Sequence, residues 1–142
     1  MIVKQLSVRL QDKPGMLNDV AETLGKAGIN MTAFCVADND GTFGILRVIV
    51  SEPEKALDIL KQNKFAVSLT DVICLCVPNT PGALSAALNI LAKENIQIKY
   101  MYAFAENKSA NVIIRPDKLE AAVEALQKNK LKLIAANDLY KF

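Results

Sequence analysis

The sequence predicts an α+β chain built of two successive βαββαβ units, each a four-stranded antiparallel sheet with two helices on one face. Three observations carry this expectation. The six residues Asp12-Lys13-Pro14-Gly15-Met16-Leu17 return 67 positions later as Asn79-Thr80-Pro81-Gly82-Ala83-Leu84. Each copy follows an alternating, strand-like run and opens a run with apolar residues at helical spacing. The apolar positions downstream also repeat, at offset 67 and then at 66, so the self-similarity spans the chain. The expected domains are 1–70 and 71–142.

Residues 2–10 alternate: Leu6, Val8 and Leu10 face one way, and Gln5, Ser7 and Arg9 the other, as in a half-buried strand. Lys13-Pro14-Gly15 breaks the run. Leu17, Val20, Ala21 and Leu24 then form one helical stripe, and Gly28 is placed to end that helix in a left-handed conformation. Met31–Ala37 reads as the second strand, Asp38-Asn39-Asp40-Gly41 as a turn and Gly44–Val50 as a central strand. Glu52-Pro53-Glu54 starts a helix with stripe Ala56, Leu57 and Leu60, followed by a short strand near Ala66–Leu69.

The second copy follows the same plan. Ile73, Leu75 and Val77 take the places of Leu6, Val8 and Leu10, and Leu84, Ala87, Leu88 and Leu91 those of the first helix. Ile98–Phe104 and Asn111–Arg115 are strands around the turn Asn107-Lys108-Ser109, which is one residue shorter than its counterpart. Pro116-Asp117 is expected to open a helix with Leu119, Ala122, Val123 and Leu126 inward, and Leu131–Ile134 to be the last strand. This element order is the split βαβ, or ferredoxin-like, unit. It leaves the sheet face opposite the helices open. That face carries Gln5, Ser7 and Arg9 in the first copy but Val72, Cys74 and Cys76 in the second, so the second needs a cover, from the other copy, the C-terminal residues or a second chain in a homodimer.

Composition excludes several functions. There is no histidine, which removes the commonest general base and the commonest nitrogen ligand for a metal. Cys35, Cys74 and Cys76 have neither a disulfide framework nor zinc-ligand spacing and read as small buried residues of a reducing compartment. Charge is balanced at +2, without a basic stripe, so nucleic acid is not an expected partner. The first residues make no signal peptide and no apolar run reaches membrane-spanning length, so no membrane partner is expected and a cytoplasmic location is. Asp38-Asn39-Asp40-Gly41 fails as a calcium loop because its twelfth position is Ile49. Glu52 and Glu54, or Glu120 and Glu124, lie at helix starts or on exposed faces and make no acid–base pair. Tyr100, Tyr102 and Phe104 share a strand face and read as packing residues. No nucleophile–base pair, cofactor motif or metal cluster emerges, so no catalytic residue is assigned. The apolar content of 51% points to surface buried against a partner.

The two Pro-Gly turns carry the strongest functional signal. Pro presets one backbone angle and Gly permits a left-handed one, and the helix that follows presents unsatisfied N–H groups that suit a carboxylate. Asp12-Lys13-Pro14-Gly15-Met16-Leu17 with Ala27-Gly28-Ile29-Asn30, and Asn79-Thr80-Pro81-Gly82-Ala83-Leu84 with Asn95-Ile96-Gln97, resemble the ACT domain family, here as a tandem pair. The resemblance implies a regulatory module of amino-acid metabolism that binds a free amino acid at the loop before the first helix. It also implies that Asn30, at the far end of the same helix, or its equivalent Gln97 from the other copy, approaches the ligand. The polar residue that the family places three positions before the Gly is present as Asp12 and Asn79. Asn95 and Gln97 depart from the family's Gly and Asn, which sets the second site apart from the first. The implied ligand set is therefore Asp12, Lys13, Pro14, Gly15, Met16, Leu17 and Asn30 with Asn79, Thr80, Pro81, Gly82, Ala83, Leu84 and Gln97, with no cofactor. The implied role is non-enzymatic, acting in trans on a partner enzyme or regulator. The competing reading is an assembly subunit with empty loops.

Overall fold

The structure, a computed structural model, describes residues 1–11, 13–39 and 43–142. Of the turn expected at Asp38–Gly41, Asp40 and Gly41 fall outside them. Two compact units are present. The first comprises Lys4–Thr70 with Leu139–Phe142, and the second Met1–Val3 with Asp71–Asp138.

The elements of the first unit are β1 (Val3–Gln11), α1 (Met16–Lys26), β2 (Met31–Asn39), β3 (Phe43–Val50), α2 (Pro53–Gln62) and the opening of β4 (Val67–Pro78). Its strands run in the order β2-β3-β1-β4. In the antiparallel β1–β3 pair, Leu6, Val8 and Leu10 lie opposite Val48, Leu46 and Gly44, which puts the alternating apolar residues of both strands on one face. Val20 and Leu24 of α1 and Ala56 and Leu60 of α2 close over that face. The second unit continues with the rest of β4, α3 (Ala83–Lys93), β5 (Ile98–Glu106), β6 (Ser109–Pro116), α4 (Leu119–Lys128) and β7 (Lys132–Leu133). β6 and β7 flank β4, and β5 follows β6, so the local order is the same. Ile73, Leu75 and Val77 meet Ala87, Leu91, Ala122 and Leu126 there, the residue-for-residue counterparts of the first core.

Three expectations are corrected. The strand expected near Ala66–Leu69 and the first strand of the second copy are one strand of 12 residues, because nothing between Val67 and Pro78 breaks the extended chain. Pro116 does not open a helix. It ends β6 opposite Ile98, and α4 begins at Leu119, the position matching Pro53 of α2. The last strand holds only Lys132 and Leu133, and a short helix α5 (Ala136–Tyr140) follows it.

The sheet face opposite the helices, expected to need a cover, is buried. Gln5 and Ile49 of the first unit are wholly buried, and so are Val72, Cys74 and Ile113 of the second. Gln5 Nε2 donates to Ser7 Oγ at 3.2 Å, and the Ser7 and Thr70 hydroxyls are 3.1 Å apart, so this polar face meets hydrogen-bonding partners as it leaves water. Because Val72 and Cys74 reach zero exposure in a single chain, they offer no apolar surface to a second one. Burial, with a smaller contribution from the neighbouring Cys76 sulfur, pushes the Cys74 thiol up to about 12. Cys74 is therefore a small apolar core residue at neutral pH and no nucleophile.

Candidate functional site

Both Pro-Gly turns fold alike. Gly15 has φ +92° and ψ −13°, and Gly82 φ +85° and ψ −13°. These left-handed angles swing the chain out of a strand and into a helix within one residue, which a side chain with a Cβ resists. Each glycine is the N-cap of its helix. Its carbonyl accepts the first intrahelical bond, from Asp19 N–H at 2.9 Å and from Ala86 N–H at 3.1 Å. A glycine cap has no side chain to occupy the helix's leading N–H groups, and neither helix has a side-chain cap. The first turn of the second helix is partly satisfied from within, because Ala83 N–H donates to the Thr80 carbonyl at 3.3 Å. A Cβ built at either glycine meets no atom of the described residues within 4 Å.

Lys13, Pro14, Gly15 and Leu17 are exposed and Met16 is half-buried, and Asn79, Thr80, Pro81 and Gly82 are exposed with Ala83 and Leu84 half-buried. Asp12 lies outside the described residues. Asn79 is held by its backbone, whose N–H donates to the Lys108 carbonyl at 2.8 Å. Beside the first turn, Arg9, Gln11, Met16, Lys64, Phe65 and Ala66 line a cleft of ≈ 140 Å³. Its two basic side chains favour an anion at the mouth of α1. Lys130 matches Lys64, and both are left-handed at φ +61° and +65°, but the counterpart of Arg9 is Cys76.

Asn30 and Gln97 stand at the other end of each unit. α1 has 11 residues, which puts about 16 Å of helix between the Pro-Gly turn and the chain leading to Asn30. Loop and Asn30 are thus not brought together within a unit, and one small ligand touching both has to draw them from different units or chains. The corner itself is built the same way twice. Asn30 N–H donates to Ser51 Oγ at 3.0 Å and Ser51 N–H returns to the Asn30 carbonyl at 3.0 Å. Gln97 N–H donates to Asp117 Oδ1 at 2.9 Å and Asp117 N–H returns to the Gln97 carbonyl at 2.9 Å. Sequence reading missed Ser51 and Asp117 as partners of these positions. The signal was present as a polar residue two places before each second helix.

The corners differ in what surrounds them. Gly28 (φ +73°) follows α1, and Asn95 takes its place after α3 with φ +56°. Asn tolerates this conformation better than most side chains, so the backbone survives the substitution. Lys118 Nζ donates to the Asn95 carbonyl at 2.9 Å, and Asn95, Gln97, Asp117 and Lys118 line a polar cleft of ≈ 420 Å³. At the first corner Asn30 Nδ2 donates to the Phe142 backbone oxygen at 3.1 Å.

Among the described residues no group of His, Cys, Asp or Glu has the geometry to hold a metal ion. No helix among them is long and apolar enough to cross a membrane.

The family model for an ACT domain pair matches residues 1–142. A Bacteroides thetaiotaomicron protein of known crystal structure superposes with a TM-score of 0.96 at 50% identity, over 100% of this chain and 98% of that one. The ligand-free regulatory subunit of aspartate kinase from Thermus thermophilus superposes at 0.64 with 16% identity, over 90% and 94% of the two chains. Aspartate kinase from Synechocystis does so at 0.54 with 20% identity, over 98% of this chain but 26% of that one. At these last two identities the likeness is one of fold. No curated protein matches the chain.

Proposed function

Because the chain belongs to the ACT domain family, as a tandem pair of regulatory and non-catalytic domains, we propose that it binds a free amino acid at its Pro-Gly loops and acts in trans on an enzyme or regulator of amino-acid metabolism. The observation that carries this is the matched pair of glycine-capped helix starts, Gly15 and Gly82, open to solvent and without a side-chain cap. The ligand carboxylate sits on the N–H groups at Gly15 to Leu17, and Asp12 accepts from its ammonium group. The Asn79–Leu84 loop forms the equivalent site, weaker because Asn79 is neutral and because Cys76 stands where the first unit has Arg9. Asn30 or Gln97 completes each site from another copy.

The domains are taken as 1–70 and 71–142, and the location as cytoplasmic. The effect on the partner follows from a bias in an interface, since a ligand shifts an equilibrium only by its differential affinity. Leu17, Phe34 and Val36 of the first unit are large apolar side chains left 43%, 58% and 51% exposed. Two of them lie on β2, which has a neighbour on one side only. That edge is the surface we assign to a second copy in a homodimer or to the partner enzyme. A relative of the same fold being the regulatory subunit of aspartate kinase makes such an enzyme a fitting partner class.

A thermal-shift screen against the common amino acids tests the reading. A ligand present at 100 times its dissociation constant adds about 2.7 kcal/mol of stability. Asp12→Ala then weakens the best ligand by roughly 1.5–3 kcal/mol in calorimetry, the worth of a charge-assisted hydrogen bond. A screen without any shift leaves the alternative in front, an assembly subunit with empty loops.

A further inference from the structure

We propose that the ligand of the first Pro-Gly turn is an amino acid with an acidic side chain, whose second carboxylate lies in the cleft lined by Arg9 and Lys64. This rests on the reading that the ligand's α-carboxylate sits on the N–H groups at Gly15 to Leu17.

The cleft begins where those N–H groups end. Met16, which contributes one of them, also lines the cleft with Arg9, Gln11, Lys64, Phe65 and Ala66. Its ≈ 140 Å³ is far below the roughly 300–1,000 Å³ of a pocket for a drug-sized ligand, so it takes a short side chain and no more. The charged residues of the lining are Arg9 and Lys64, both cations. Asp19, in the first turn of α1, is exposed and does not line the cleft. Arg9 N–H donates to the Ala66 carbonyl at 2.9 Å, which holds the start of β4 beside β1. Its guanidinium carries five further donors in a fork that matches a carboxylate, more than one partner exhausts.

The repeat points to charge as the feature kept at this place. Lys64 and Lys130 follow α2 and α4 with φ +65° and +61°. That left-handed position suits Gly or Asn, and the backbone gives no reason for a lysine in either unit. Its ammonium group does. The second cation moves between strands without being lost: Arg9 becomes Cys76, and Ala66 becomes Lys132. Cys76 and Lys132 lie directly opposite each other in the β4–β7 pair, so Lys132 stands on the sheet face that corresponds to that of Arg9. The exchange keeps the charge and replaces a fork by a point charge, which holds a carboxylate less firmly. The second turn is therefore the weaker of two sites of one preference.

The experiment titrates the full chain by calorimetry with aspartate and glutamate, and with their uncharged isosteres asparagine and glutamine. Within each pair only the side-chain charge differs, and comparison of the two acids reads the length the cleft accepts. The better acid is expected to bind roughly ten- to a hundredfold more tightly than its amide, the worth of a charge-assisted hydrogen bond. Raising the salt concentration is expected to shrink that advantage. Lys64→Gly removes the ammonium group and relieves a left-handed side chain, so the variant is expected to fold at least as stably. Arg9→Gln removes the fork at an exposed position. Each is expected to bring the acid's affinity toward that of the amide. An acid that binds no tighter than its amide, or an advantage that both variants leave intact, overturns the acidic side chain. The loop reading then still stands if Gly15→Val abolishes binding of whichever amino acid binds best. An acid preference that needs Arg9 and Lys64 but survives Gly15→Val overturns the loop reading alone. No response to any common amino acid overturns both.

Discussion

The turn that ends the first helix is made by Gly28 in one unit and by Asn95 in the other, at φ +73° and +56°. The backbone bond that closes it is the same, from Ile29 N–H to the Leu24 carbonyl at 3.0 Å and from Ile96 N–H to the Leu91 carbonyl at 2.9 Å. The reciprocal pairs Asn30–Ser51 and Gln97–Asp117 likewise keep one geometry through different side chains. The backbone is thus the repeated object, and the side chains standing on it have diverged. What has diverged lies around the proposed sites: Arg9 against Cys76 near the loops, and a corner where Asn30 Nδ2 donates to the Phe142 backbone oxygen against one that lines a cleft. The two units are equivalent as scaffolds and unequal in the residues around the proposed sites.

Core substitutions are the harshest test of the scaffold half of that statement. Leu24→Ala and Leu91→Ala remove matched, fully buried side chains under the first helix of each unit. Each is expected to cost about 2–5 kcal/mol in denaturant unfolding, by similar amounts. A loss confined to one unit would mean that the repeat is not energetically symmetric. Gly15→Val and Gly82→Val come next. Open space around both positions removes steric clash from the account, so the cost is conformational, about 1–3 kcal/mol in either unit.

A smaller effect separates the units. Thr32 Oγ1, at the irregularity of β2 between Met31 and Ala33, is buried without a hydrogen-bond partner. Thr32→Val is expected to stabilise the protein by about 1 kcal/mol, since it removes an unsatisfied hydroxyl and keeps the shape. Its counterpart Lys99 is exposed and offers no such gain. An effect absent at neutral pH is alkaline. Folding holds the Cys74 proton from the ordinary thiol value of 9.0 up to about 12. The native state binds more protons than the unfolded one in that window, so stability falls as pH rises through it. Cys74→Val is expected to flatten that alkaline limb in a pH series of unfolding midpoints. A limb as steep as the native one would place its origin in another group.

Much of this was legible in the residues. The period-2 runs around Leu6 and Ile73, the helical stripes ending in Leu24 and Leu91, and the two Pro-Gly turns specify strand, helix and junction by purely local rules. Element ends were less legible. Pro116 after an apolar run looks like a helix opener, because proline suits a first helical turn, but it equally suits the last residue of a strand. The short β7 and the helix after it depend on packing between distant residues, which no local pattern encodes. For the candidate site, the Pro-Gly turns announce themselves in sequence. The contact of Asn30 with Phe142 spans 112 positions, and neither residue hints at the other. The exposed pair Phe34 and Val36 reads as ordinary strand alternation until the strand is placed at an edge.

The most direct test of the account is calorimetric titration of the native chain, Gly15→Val, Gly82→Val and the double variant, each first shown to be folded. The titrant is the amino acid with the largest thermal shift. The account predicts that Gly15→Val removes the tighter binding, that Gly82→Val removes the weaker, and that the double variant binds nothing measurable. A folded double variant that still binds with native stoichiometry and affinity would contradict it and move the ligand away from the Pro-Gly turns.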